Sequence, residues 1–173
     1  MTDIRESIFG ALRATGRPGV DALLDYLDKS SYFTRGCYGH HKEQGGLATH
    51  CYEVYLFMLS HNVLLPKDSI AIAGLLHDLG KTNRNIGTGG HGHRSVAILD
   101  HLGFSLTDAE RKAIGCHHDH NPHDYATCPL LCQLSAGDCD STRRWKHAHP
   151  ELCHHRKHQS KKIRGSSRYH ISI

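Results

Sequence analysis

The apolar run Ala71 to Leu76 ends, with no polar residue between, on His77 and Asp78. Ile70, Ala73, Gly74 and His77 recur at three- and four-residue steps, which predicts a helix opening at Pro66 with Gly80 placed as its C-terminal cap. Neighbours on a helix point about 100° apart and ordinarily share no partner. At a helix terminus both side chains can reach one ion. A cation seated there takes His nitrogen and Asp oxygen together and neutralises a carboxylate that is costly beside apolar chain. The alternative is a solvated helix end, and a His-Asp pair alone does not choose between the two.

The rest of the chain is patterned for helices as well. Asp3 and Glu6 have capping-box spacing, and Ile4, Ile8, Phe9 and Leu12 follow at helical steps until Gly16-Arg17-Pro18. Val20, Leu23, Leu24 and Leu27 predict a second helix ending near Lys29-Ser30-Ser31, followed by an irregular stretch from Tyr32 to Gly46. From Leu47 to about His61 a stripe of Leu47, Cys51, Val54, Tyr55 and Met58 carries His50 on its flank. A glycine-rich loop, Gly87 to Gly92, precedes a helix over Ser95 to Leu102. Thr107 to Glu110 fits a capping box for a helix running toward His117. Pro129 opens the last helix, through Leu130, Leu131, Leu134, Ala136 and Asp138, after which the periodicity dissolves. With no strand pattern and no repeat, the expected fold is all-α.

At 173 residues and 38% hydrophobic content, one core in one domain is expected. The 18 histidines make metal binding the first hypothesis to test, since neutral imidazole is a common ligand for transition ions. The seven cysteines are an odd number lying in helical segments, so reduced thiols are expected. Cys128 and Cys132 share a helical face and could join Cys139 or Cys153 around zinc, but packing as small hydrophobes explains them better. No apolar run is long enough for a membrane span and no signal-peptide pattern opens the chain, so a soluble, cytoplasmic protein is expected. Charge divides the sequence. From Arg143 onward nine Lys/Arg face Glu151 alone, for +8, which leaves −4 on the remainder. The segment 143–173, with six histidines, is expected to extend from the domain without a core and is a candidate for binding nucleic acid.

Gly-Leu-Leu-His77-Asp78-Leu-Gly-Lys81, preceded by Gly-Gly-Leu-Ala-Thr-His50 and followed by Ala-Gly-Asp138, resembles the HD superfamily of metal-dependent phosphohydrolases. The resemblance runs from about residue 37 to 142 and implies a helical bundle over 1–142 with the basic tail outside it. Carried over by position, it makes His50, His77, Asp78 and Asp138 the ligands of a first ion. In members with a second ion, two further histidines stand between the His-Asp pair and the last Asp. Here His91, in His91-Gly-His-Arg-Ser95, and His117, in Ile114-Gly-Cys-His117-His118, hold those places, with His93 and His118 as adjacent alternatives. Two divalent transition ions are therefore expected, among Fe, Mn, Ni, Co and Zn, with Mg as a further option.

The same resemblance gives Lys81 the role of an electrostatic clamp on substrate phosphate, with Arg94 assisting and Asp78 in the catalytic set. The competing explanations are a helix-dipole contact for Lys81 and a solvent-facing charge for Arg94. The pair His40-His41, before Gly-Gly-Leu-x-x-His50, is similar to a segment of some HD phosphodiesterases and exoribonucleases and is expected at the substrate cleft, outside the ligand set. The implied activity is hydrolysis by a metal-activated water of a nucleotide, cyclic nucleotide, dinucleoside polyphosphate or oligonucleotide. The rivals are an HD-type di-iron oxygenase and a noncatalytic, metal-stabilised module that binds nucleic acid. A chain this short after its last aspartate also leaves a homodimer open, with a partner covering one side of the cleft.

Overall fold

The structure, a computed structural model, describes residues 3–62, 64–119 and 121–153. Among them run eight α-helices and two short 3-10 turns, and no strand: α1 (Ile4–Arg13), α2 (Val20–Lys29), α3 (Gly46–Ser60), α4 (Lys67–Leu76), a turn at Leu79–Lys81, α5 (His91–His101), α6 (Asp108–Cys116), α7 (Pro122–Thr127), α8 (Pro129–Ala148) and a turn at Pro150–Leu152. Among the described residues no helix is long and apolar enough to cross a membrane.

Helix α4 is the axis of the fold. Every residue from Ser69 to Leu76 is buried, as expected of a helix apolar on all sides. Its Ile70, Ile72, Leu75 and Leu76 are fully enclosed, each contributing roughly 1.5–3 kcal/mol of transfer free energy. Helices α3, α6, α8 and α1 all pack on it, and α3 and α8 also pack on each other. Gly74 permits the closest of these contacts, since a Cβ there would lie 2.8 Å from the Tyr55 Cα of α3. The base of α4 is tied to α6 through Glu110. This buried carboxylate accepts from Arg17 Nη2 at 2.8 Å, Ser69 Oγ at 2.7 Å and Thr107 N at 2.8 Å, and completes the capping box expected at Thr107.

Four local expectations are corrected. Gly80 is not a left-handed cap: its φ is not positive, and α4 passes through His77 into the 3-10 turn. It is glycine because α5 crosses there, and a Cβ would lie 2.1 Å from His91 O and 2.7 Å from Ser95 N. Helix α5 opens at His91, a turn earlier than Ser95, because its first residues pack on the Leu79–Lys81 turn. Asp3 caps α1 through Arg5 N rather than through a capping box. Finally, α8 does not end after Asp138 but runs to Ala148, so the first residues of the expected tail are helical. They hold because Asp138, Ser141 and Trp145 lie at helical spacing on one buried face. The remainder of that segment, 154–173, lies outside the described residues.

Candidate metal centre

Helices α3, α5 and α8 and the ends of α4 and α6 bring seven side chains able to ligate a metal into one largely buried cluster. His50 comes from α3, His77 and Asp78 from the end of α4, His91 from the start of α5, His117 and His118 from just past α6, and Asp138 from α8. His50 Nε2 lies 3.1 Å from Asp138 Oδ1, 3.6 Å from Asp78 Oδ2 and 3.4 Å from His77 Nε2. On the other side of Asp78, Oδ1 is 3.1 Å from His91 Nε2 and 3.9 Å from His117 Nε2, and those two nitrogens are 3.2 Å apart. His118 Nε2 reaches 3.7 Å from Asp138 Oδ2. Asp78 thus faces one group of donors with each oxygen.

The hydrogen bonds around the cluster fix which atoms are free to ligate. His77 Nδ1 donates to Gly74 O at 3.0 Å and His117 Nδ1 to Ile114 O at 2.8 Å. A carbonyl only accepts, so each proton sits on Nδ1 and each Nε2 presents a lone pair. His50 is set the same way at one remove. Glu53 Oε2 takes the Ser141 hydroxyl hydrogen at 2.8 Å, leaving Ser141 Oγ to accept from His50 Nδ1 at 3.0 Å. Burial pushes the His77 ring down to about 4 and the His117 ring to about 3, so both are neutral at neutral pH. On the three rings, His50, His77 and His117, the Nε2 lone pairs face the carboxylates, and Lys81 donates to Asp78 Oδ2 at the edge of the cluster. Asp78 Oδ1 is buried and accepts no hydrogen bond, His91 lying near it without donor alignment. Lys81 offsets part of the buried carboxylate charge, and imidazole with carboxylate suits divalent transition ions.

Of the residues expected from sequence, His50, His77, Asp78, His91, His117 and Asp138 are brought together. Both His117 and His118 lie with His91, the three offering ligand atoms within 4.8 Å of one another. His91 lies in this cluster, whereas exposed His93 lies beside Cys116 and Asp119. Lys81 pairs directly with Asp78 Oδ2. Burial alone would lower its ammonium, and the Asp78 charge outweighs that to raise it. Arg94 donates to Gly89 O at 2.6 Å and to Gly80 O at 3.4 Å, so its guanidinium is braced at the cleft rather than free in solvent.

Both Lys81 and Arg94 line a cavity of about 310 Å³ that opens beside His91, with Arg35, Gly36, Tyr38 and Arg84 completing its wall. Four of its seven lining residues are cations and none is acidic, so the cavity selects anions. His40 and His41 stand at the edge of the first donor group, their rings 4.6 and 5.2 Å from that of His50. His41 has φ 41°, the one positive value outside glycine among the described residues. Its carbonyl is crossed by Gly46, where a Cβ would lie 2.0 Å away. Among the described residues Cys128, Cys132, Cys139 and Cys153 form no metal-ligating group; Cys128 is buried and the other three are exposed.

A family model described as HD domain matches residues 47–162. The chain belongs to the HD domain family. Neither the comparison with curated proteins nor that with solved structures gives a match. The sequence motif missed Glu53, Ser141 and Arg84 within this HD domain, and Arg35 ahead of it. Glu53 and Ser141 follow His50 and Asp138 by one helical turn each, a spacing that marks them as supports for the ligands. Arg35 and Arg84 carry no such signal, since both come from irregular chain.

Proposed function

We propose that this HD domain is a phosphohydrolase that binds two divalent transition ions and cleaves a phosphodiester or phosphoanhydride of a nucleotide-like substrate. The observation that carries the reading is a cluster of imidazole nitrogens and carboxylate oxygens, with Asp78 Oδ1 buried and without a hydrogen-bond donor, that opens into a cavity walled by Arg35, Lys81, Arg84 and Arg94. In this reading His50, His77, Asp78 and Asp138 hold one ion, and Asp78, His91, His117 and His118 the other. Bound ions of this kind supply Lewis acidity toward phosphoryl oxygens and acidify water.

The chain's own residues then do three things. The four cations draw the anionic substrate to the cavity and neutralise charge that grows on phosphoryl oxygens. Lys81, joined to Asp78, sets the carboxylate's orientation while presenting its charge to the cavity. The Nδ1 hydrogen bonds of His77 and His117 keep both rings facing inward, so the donor geometry exists before substrate arrives.

The test is metal content by elemental analysis in the full chain and in a His77→Ala/Asp78→Ala variant, with turnover of a phosphodiester and nucleotide panel in Mn²⁺. Metal taken up by the histidine-rich segment would be common to both proteins, so the difference between them is the reading. We expect about two ions fewer in the variant and loss of turnover. Equal metal content in both proteins overturns the proposed site, and oxygen consumption by the iron form without hydrolysis of any substrate of the panel overturns the hydrolase.

A further inference from the structure

Outside the central cluster, a second mixed group of donors lies at the surface where α5 begins and α6 ends. A ring nitrogen of His93, the Cys116 Sγ and a carboxylate oxygen of Asp119 all lie within 4.8 Å of one another. Their placement follows from the chain. His93 stands two residues after His91 in the first turn of α5, about 200° around the helix, so it faces away from the central cluster. Cys116 is the last residue of α6, and Asp119 N donates to its carbonyl at 2.9 Å, a turn that brings Asp119 beside it. Gly92 lets the two stretches of backbone meet, since a Cβ there would lie 2.5 Å from Ile114 O and 2.7 Å from Gly115 O. Two cations, Arg111 and Lys112, line the cleft beside His93 and Cys116. Each is paired, Arg111 with Asp100 at 2.7 Å and Lys112 with Asp124 at 2.8 Å, which offsets their repulsion of a further cation.

We propose that His93, Cys116 and Asp119 hold a zinc ion of their own, separate from the centre at Asp78. The proposal goes beyond the phosphohydrolase reading and does not depend on it. Imidazole, thiolate and carboxylate are all zinc ligands with bonds of about 2.0–2.3 Å, so tetrahedral donors stand roughly 3.5 Å apart. His93 and Asp119 are exposed and Cys116 is partly buried, so two of the three side chains have room to close on an ion. The sulfur distinguishes this site from the central one, whose donors are nitrogen and oxygen alone. Thiolate favours zinc, whereas magnesium and manganese prefer oxygen ligands. On binding, the Cys116 proton leaves to solvent and a sulfur–zinc bond takes its place. Three protein ligands leave the fourth position to water, unlike a closed structural site. An ion there ties the first turn of α5 to the turn after α6, the two pieces that carry His91, His117 and His118.

The experiment uses the full chain and reads each cysteine separately, by iodoacetamide labelling followed by mass spectrometry of the peptides. Zinc should slow the labelling of Cys116 about tenfold once free zinc is ten times its Kd, whatever the other cysteines and the histidine-rich segment bind. The protection should vanish in His93→Ala and weaken in Asp119→Asn, both at exposed positions. Mn²⁺, which suits the central donors and not a thiolate, should leave the labelling of Cys116 unchanged. The bond to sulfur is read directly with Co²⁺, whose near-ultraviolet charge-transfer band from thiolate should lose intensity in Cys116→Ser. Labelling that zinc does not slow, or slows equally in His93→Ala, overturns the site. Equal protection by Mn²⁺ means that Cys116 senses the central ions and overturns it too, as does a cobalt band unchanged in Cys116→Ser. Protection by zinc in a protein that turns over no phosphodiester or nucleotide removes the hydrolase and keeps this site.

Discussion

At the scale of single residues, the metal centre depends on where protons sit. Ser141 is the clearest case, since it touches no candidate ion and yet decides which nitrogen of His50 carries hydrogen. Replacing it with alanine leaves every donor present and frees the His50 ring to turn or change tautomer. We expect Ser141→Ala to weaken metal binding about 10- to 100-fold, the usual cost of losing a support of a ligating histidine, measured by competition with a chromogenic chelator. Wild-type affinity in that variant would remove the relay from Glu53. The metal-free protein should also lose stability in acid. His77 and His117 take up protons near pH 6.5 when unfolded (about 6.5) but only at about 4 and about 3 when folded. Across that interval the unfolded state binds more protons, so stability rises with pH and falls as the pH drops from about 6.5 toward 4. Urea midpoints of the metal-stripped chain at a series of pH values check the sign, and a flat profile would mean that the rings are not buried.

At the scale of elements, the HD segment is held by a hydroxyl and a carboxylate that belong to other helices. Ser95 Oγ accepts from Gly80 N at 2.7 Å and lies 2.7 Å from His77 O and 2.9 Å from His91 O, so one side chain joins the end of α4, the turn and the start of α5. At the opposite end of α4, Arg17 neutralises Glu110, whose side chain is fully buried. Arg17→Ala should destabilise the protein by about 3 kcal/mol, the lower end for an orphaned buried charge, because Ser69 and Thr107 still donate to the carboxylate. Denaturant titration measures it, and Arg17→Ala/Glu110→Gln should recover part of the loss. A change below about 0.5 kcal/mol would place the pair among ordinary surface contacts.

The elements themselves were legible in the sequence where their buried faces are apolar, as in α1, α2, α3 and α4, and where a cap announces them, as at Thr107 and Pro129. They were not legible where the buried face is polar. The C-terminal half of α8 turns Asp138, Ser141 and Trp145 inward, a helical repeat that a search for hydrophobic spacing passes over. Gly80 shows the same limit from the other side: its position suggested a cap, whereas a crossing helix explains it, and tertiary approaches leave no local signature. The candidate ligands could be named from the sequence because a family motif carries them, and the fold gathers them. Arg35, Arg84 and Tyr38 could not, because they gather at the cavity only when loops fold together.

For the whole molecule, the charge division read from the sequence takes on a spatial form. Cations line the cavity beside the donor cluster, although residues 1–142 carry a net negative charge. Acidic side chains are instead spent within the fold or on other faces: Glu110 on Arg17, Asp100 on Arg111, Asp140 on Arg143 and Arg144. An anionic substrate therefore meets a local field opposite in sign to the body's net charge, and its capture should weaken with ionic strength.

The boundary of charge and the boundary of folding fall at different places in this chain. The first lies at Arg143, in the middle of α8; Trp145, two residues later, is buried, donates to Glu43 at 3.2 Å and stacks beside His149 and His41. A protein trimmed at residue 142 to remove the basic segment would keep all seven candidate ligands and lose the anchor of the helix that presents Asp138. We expect such a trimmed protein to melt at lower temperature and hold metal more weakly than one ending at Cys153, a comparison that thermal unfolding with and without Mn²⁺ makes directly. Shortening this protein safely means cutting by the helix and not by the charge.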